Sequence, residues 1–155
     1  MNWLNGGSDR GSTLRELPEL AERFDALYRS LWTQPHLGAE ILELCRLRLA
    51  QLHRCEAEWR RSDVDVDPRK REALQRWDSA ADFSAAERAC LAFTEVYAMD
   101  AQAVTDALAD SVKAHCGDAG LVLLVEALGI LDGMTRLSLL WELPVGSPAA
   151  GAAQG

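Results

Sequence analysis

The sequence predicts an all-α, single-domain helical bundle. Apolar residues recur every three or four positions through most of the chain, no stretch alternates with the period of two that a half-buried strand requires, and a capping box marks one helix start. The 155 residues, 48% of them apolar, are enough for one domain with a real core. That domain is expected at 13–143. Residues 1–12, rich in Gly, Ser and Asn, read as a flexible tail, and so do 144–155, where 146–155 contain only Gly, Ser, Pro, Ala and Gln.

The first helix is expected from Leu17 to Trp32, where Leu17, Leu20, Phe24, Leu27, Tyr28 and Leu31 share a helical spacing, and Pro35 separates it from the next. A second begins near Leu37 and carries Ile41, Leu44, Leu47 and Leu52 inward. Its pattern runs to Trp59 without Gly or Pro, and Asp63 to Pro68 reads as the stop. The mixed charges Arg60, Arg61, Asp63, Asp65, Asp67, Arg69, Lys70 and Arg71 read as a solvated loop.

Ser84 with Glu87 is the capping box, because each side chain can satisfy an orphan backbone donor at the other's position, so a helix should run from there to about Met99. Asp100 is placed to cap another helix ending near Cys116, before Gly117. Asp118 then opens the most apolar stretch, Leu121 to Leu140, which by its all-round hydrophobicity should be central. Glu126, Asp132 and Arg136 interrupt it at intervals that a lipid-facing helix tolerates poorly, so a core helix is favoured over a membrane span. The spacing of Gly129 and Gly133 suggests a close helix crossing inside the bundle.

Composition also excludes functions. A formal charge of −8 offers no surface for nucleic acid. The N-terminus has no apolar stretch resembling a signal peptide, and Cys45, Cys55, Cys90 and Cys116 lack the spacing of a disulfide framework, so a cytoplasmic, reducing location is expected. No Gly-rich phosphate loop, nucleophile elbow or metal-ligand spacing occurs, and neither cofactor nor metal is expected. His36 at a helix start and His115 near a helix end have adequate structural explanations.

One segment carries chemical information. From Glu43 to Cys55 the chain reads Glu-Leu-Cys-Arg-Leu-Arg-Leu-Ala-Gln-Leu-His-Arg-Cys. It resembles the pattern Glu-Leu-x-Arg-Leu-Arg-x-Ser-Gln-x-Asn-Gly-Cys of the alkylhydroperoxidase D-like and carboxymuconolactone decarboxylase superfamily, and the likeness continues through Phe83 to Glu95 and the last apolar helix. The resemblance implies a helical fold assembled as a homo-oligomer, with peroxidase-like thiol chemistry in members that hold Cys-x-x-Cys followed by a histidine. Here Glu58 stands where the second cysteine belongs and Ser62 where the histidine belongs. It also implies a turn near His53 and Arg54, so that the apparent single helix to Trp59 is a hairpin with Cys55 starting its second arm. Without that turn, Glu43 and Cys55 would lie about 18 Å apart along one axis.

The candidate site residues are therefore Cys55, Glu43, Glu58 and His53. Cys55 is either a nucleophile or a buried thiol inherited from a redox ancestor. Glu43 is either a pocket carboxylate or the ion-pair partner of Arg46 or Arg48. His53 is either a base or an ordinary, partly exposed histidine. Cys45 is a poor resolving partner for Cys55, since ten helical residues separate them by about 15 Å and a disulfide needs Cα atoms within about 7 Å, and Cys90 or Cys116 could approach Cys55 only through the fold. With Glu56 and Glu58 in the first turn after it, Cys55 should react slowly with hydroperoxide and form no intramolecular disulfide. Introducing Glu58→Cys with Ser62→His should return some dithiol activity. Two functions fit: a diverged enzyme with weak or altered thiol or proton-transfer chemistry on a small molecule, or a non-enzymatic oligomeric scaffold or ligand-binding protein that has lost the relay.

Overall fold

The computed structural model describes residues 10–142. Within them the chain forms helices and no strand, as the period of its apolar residues requires. The order is α1 (Arg10–Leu14), α2 (Pro18–Thr33), α3 (Ala39–Leu52), α4 (Glu56–Arg60), α5 (Pro68–Ala73), α6 (Ala85–Met99) and α7 (Asp106–Leu140), with 3-10 turns at Leu74–Arg76 and Ala101–Ala103. Helices α3, α6 and α7 pack against one another around Leu42, Leu44, Leu47, Leu91, Leu124, Leu128 and Leu131. The expected tails at 1–9 and 144–155 lie outside the described residues.

Several expectations are corrected. Residues 10–12, assigned to the tail, belong to α1, where the chain is tied down by buried Thr13. In α2, entered by Pro18 at its first turn, Leu31 is buried but Leu17, Leu20 and Leu27 are about half exposed, so that stripe is not part of this core. The charge run is not a solvated loop. Asp67 caps α5 by accepting from the Arg69 N–H at 2.9 Å, Arg61 and Asp63 fold inward, and the Arg71 guanidinium lies 4.6 Å over the Trp59 ring.

Helix α6 starts as predicted, with both halves of the Ser84 and Glu87 capping box formed. Asp100 caps only the short 3-10 turn, and Thr105 caps α7 instead. A kink at Gly117, with φ 69° and ψ 179°, divides α7 near the predicted place. The expected close crossing at Gly129 and Gly133 is absent: a Cβ at Gly133 would meet nothing, and at Gly129 only the Tyr97 hydroxyl at 3.7 Å. The tight approach is at Gly120, where a Cβ would sit 3.0 Å from the His36 carbonyl oxygen. Nor is α7 enclosed on all sides, since Val122, Val125, Leu139 and Leu140 are exposed. It has the length and composition to cross a membrane, yet Leu124, Ala127, Leu128 and Leu131 form a face packed into the protein core.

The hairpin implied by the resemblance is present. Helix α3 ends in a Schellman motif: the Cys55 N–H donates to the Ala50 carbonyl at 2.8 Å and the Arg54 N–H to the Gln51 carbonyl at 3.1 Å, with Arg54 left-handed at φ 53°. That conformation normally belongs to glycine, because an L side chain there costs about 1–2 kcal/mol. Arg54→Gly is therefore expected to raise stability by roughly 0.5–1 kcal/mol, after the added freedom of the unfolded chain is discounted. Urea denaturation followed by circular dichroism checks this. An unchanged midpoint would mean that Arg54 side-chain contacts offset the strain.

Candidate functional site

The four candidate residues fall into three settings, each decided by what the hairpin turns toward. Glu43 on α3 and Glu58 on α4 are both buried and are joined by Arg46, one turn beyond Glu43. Arg46 donates from Nε to Glu43 Oε2 at 2.8 Å and from Nη2 to Glu43 Oε1 at 2.6 Å, a bidentate fork. Its Nη1 donates to the Glu58 carbonyl at 2.8 Å and to Glu58 Oε2 at 3.3 Å, and its Nη2 also reaches the Arg61 carbonyl at 2.6 Å. Every N–H of the guanidinium thus has an acceptor.

A second layer closes the network. Arg61 donates from Nε to Glu58 Oε2 at 2.9 Å, from Nη1 to Asp63 Oδ1 at 2.5 Å and from Nη2 to the Tyr28 hydroxyl at 2.8 Å. Tyr28 donates to Asp63 Oδ2 at 2.6 Å, and Ser138 on α7 donates to Glu58 Oε1 at 2.6 Å. Burial above all, opposed by Arg61 and reinforced by Asp63, pushes the Tyr28 hydroxyl up to about 12, so it remains a proton donor. Burial works to lower Arg61, but Tyr28, Glu58 and Asp63 together raise it, so it remains a cation. The result is three carboxylates wrapped around two guanidiniums. Both oxygens of Glu43 and of Glu58 are occupied by hydrogen-bond donors.

Cys55 occupies the second setting. It is the residue before α4, only 2% exposed, and it forms part of the wall of an open groove of about 730 Å³ together with Arg48, Gln51, Arg54, Trp59 and Gln75. Neither Glu43, Glu58 nor His53 lines that groove. Arg48 is held by Glu95 at 2.6 Å and by Gln51 at 2.8 Å, and Glu95 also accepts from the Trp77 indole at 2.7 Å. Arg54 is exposed and forms no ion pair among the described residues.

His53, which ends α3, faces the other way. Its Nε2 lies 2.5 Å from Asp132 Oδ1 on α7, and Asp132 Oδ2 accepts from Arg136 Nε at 2.7 Å. Sequence reasoning noticed Asp132 only as a charge interrupting an apolar helix, because a partner 79 residues away leaves no local spacing to find. It named Arg46 only as one possible partner of Glu43 and did not foresee that Arg46 also holds Glu58. The pattern Glu-x-x-Arg, with both residues inside an apolar stretch, was the available signal for a buried pair. No group of side chains suited to a metal ion occurs among the described residues.

Comparison with known structures fits this arrangement of helices. A protein of unknown function from Agrobacterium tumefaciens, carrying the name of the antioxidant defence protein AhpD, superposes with a TM-score of 0.71 at 19% identity, over 86% of this chain and 97% of its own. The chain has the alkylhydroperoxidase D-like fold. An uncharacterised peroxidase-related protein from Silicibacter sp. TM1040 shares the AhpD-like fold at TM-score 0.71 and 15% identity, over 84% of this chain and 72% of its own. A cysteine-to-alanine variant of the debrominase Bmp8, in complex with 2,3,4-tribromopyrrole, does so at TM-score 0.76 and 15% identity, over 87% and 75%. No family model matches the sequence, and no curated protein matches it.

Proposed function

We propose that this protein is a diverged relative of the AhpD-like peroxidases that binds a small organic acid in the Cys55 groove and acts on it, or on a hydroperoxide, through that single thiol. The observation that carries the reading is the groove itself: a cysteine set beside an exposed guanidinium, Arg54, that has no ion pair among the described residues, and an indole wall, Trp59, while the Glu56 carboxylate that also lines the groove is held by Arg60 at 2.7 Å. A carboxylate on Arg54 with its apolar body against Trp59 would place its reactive end at Cys55. Glu43 and Glu58 serve as structural ion-pair partners of Arg46, so the proton relay of dithiol members is replaced by a buried charge network.

With hydroperoxide, the thiol sulfur takes one oxygen to become a sulfenic acid and releases the alcohol. An external thiol then condenses with it, releasing water, and a second thiol restores Cys55 as the external disulfide departs. Two external thiols are oxidised for each hydroperoxide reduced. Other proteins of this fold support small-molecule chemistry, among them one that binds a brominated pyrrole.

The test uses two alkylating probes of similar size. Iodoacetamide is the faster reagent toward an ordinary thiol, but the carboxylate of iodoacetate is expected to be drawn by Arg54, so that Cys55 favours iodoacetate. Arg54→Glu should shift the ratio of the two rates by about tenfold or more toward iodoacetamide, the loss of one charge-assisted contact. A ratio unmoved by that substitution would remove the anion-binding reading and leave the non-enzymatic scaffold as the better one.

Self-association is also part of the proposal. Leu17, Leu20 and Leu27 on α2 and Val122, Val125, Leu139 and Leu140 on α7 are large apolar side chains left exposed. Sedimentation at micromolar concentration should give a homo-oligomer burying more than about 1,000 Å². A monomer would overturn this. A cytoplasmic location, expected from the cysteine pattern, belongs to the same reading.

A further inference from the structure

The turn that brings Arg54 and Cys55 to the groove is tied to a helix on its other side. His53, immediately before Arg54, caps the end of α3, and its Nε2 lies 2.5 Å from Asp132 Oδ1 on α7. Asp132 is buried within an apolar helix, where a carboxylate is costly unless it is paired. It is paired on both oxygens. Arg136, one turn further along α7, donates from Nε to Oδ2 at 2.7 Å, which fixes the carboxylate and leaves Oδ1 for the imidazole.

A tie at this place answers a local strain. Arg54 sits in the left-handed region at φ 53°, and a residue with a side chain holds that conformation only where its surroundings over-determine it. The helix end supplies part of the constraint, through the Cys55 N–H on the Ala50 carbonyl and the Arg54 N–H on the Gln51 carbonyl. The His53 and Asp132 pair adds a contact from outside the hairpin, since its members are 79 residues apart and belong to different helices. We propose that Asp132 is a positioning residue for the Cys55 groove: by holding His53, it fixes the turn in which the Arg54 guanidinium and the Cys55 thiol meet an incoming anion. This inference rests on the reading of the groove as an anion-binding site.

Asp132 does not touch the anion. Neither it nor His53 lines the groove, so its effect on Cys55 passes through the backbone of residues 53–55. Without the tie, the turn is free to relax away from the left-handed conformation at Arg54, and the guanidinium no longer meets the ligand beside the sulfur. Charge alone acts in the opposite direction, because removing a negative group from the neighbourhood strengthens the attraction for an anion. The direction of the change therefore separates the two causes.

The experiment measures alkylation of Cys55 by iodoacetate and by iodoacetamide in the intact protein, read by mass spectrometry of the peptide that holds it. Asp132→Ala should lower the iodoacetate-to-iodoacetamide rate ratio by about threefold or more, part of the roughly tenfold shift expected of Arg54→Glu. Asp132→Asn carries the same charge as Asp132→Ala but keeps an oxygen that accepts from the imidazole N–H, and it should restore most of the wild-type ratio. In a His53→Ala background, Asp132→Ala should lower the ratio no further, since its partner is already gone. A looser fold by itself speeds both reagents alike and leaves the ratio unmoved. Should Asp132→Ala not fold, His53→Ala and His53→Gln, equal in charge, repeat the comparison from the other partner: Gln keeps a donor for Asp132 and should keep the preference that Ala loses. An Asp132→Ala ratio at or above the wild-type value, an Asp132→Asn ratio as low as that of Asp132→Ala, or equal ratios in the two His53 variants would overturn the proposal and leave the anion-binding groove in place. A wild-type ratio indifferent to Arg54→Glu would instead remove the groove reading, and this inference with it.

Discussion

Arg46→Met is expected to destabilise the protein by about 3–5 kcal/mol, a large share of the roughly 5–15 kcal/mol that holds a domain of this size together. The loss comes less from the contacts than from what remains. Glu43 and Glu58 would stay buried with Arg46 gone, Glu43 keeping only the Asp63 N–H at 3.3 Å and Glu58 keeping Arg61 and Ser138. Urea denaturation followed by circular dichroism should show this loss as a lowered midpoint. Removing Glu43 together with Arg46, both by apolar residues of similar volume, should destabilise less than Arg46→Met alone. If the single variant kept wild-type stability, the network would have no structural weight, and Glu43 would return as a candidate catalytic carboxylate.

The Glu58→Cys, Ser62→His double variant has the second largest expected effect, in two opposed directions. Cys55 precedes α4 and Glu58 lies within its first turn, the three-residue spacing of a dithiol centre, so hydroperoxide should now generate a disulfide between Cys55 and the introduced thiol. The same change takes an acceptor from Arg46, Arg61 and Ser138, leaving buried donors unsatisfied, and should lower stability by about 3 kcal/mol or more. Ser62 is exposed and its hydroxyl donates only to the Val64 carbonyl at 2.9 Å, so that half of the change adds little strain. Thiol counting after peroxide, paired with thermal melts, separates the two effects. A folded double variant that never cross-links would show that the turn at Arg54 no longer presents Cys55 as the resemblance implies.

These contrasting effects show why part of the site was readable and part was not. Glu43, Cys55 and Glu58 could be picked out because their offsets along the chain matched a known pattern. Their roles could not, because a role depends on whatever occupies the space around each side chain. Glu58 reads as an absence, the lost second sulfur. In the fold it receives hydrogen bonds from residues on two helices, α3 and α7, and from the loop after α4. The turn at His53 and Arg54 shows the same limit. Local sequence predicts continuous helix there, since nothing like glycine marks the left-handed position, and only the resemblance indicates a break.

By itself the sequence determined what repeats locally. Helical periodicity placed most of α2, α3, α6 and α7, the Ser84 and Glu87 pair set the start of α6, and Gly117 set the bend in α7, because caps, glycines and a 3.6-residue period act between positions only a few residues apart. Tertiary structure decided which charges are buried, which face of α7 is covered, that Asp132 meets His53, and that Cys45, Cys90 and Cys116 share one cluster. Those pairings join residues tens of positions apart. They are chosen by how the helices pack, and no spacing within a single helix encodes them.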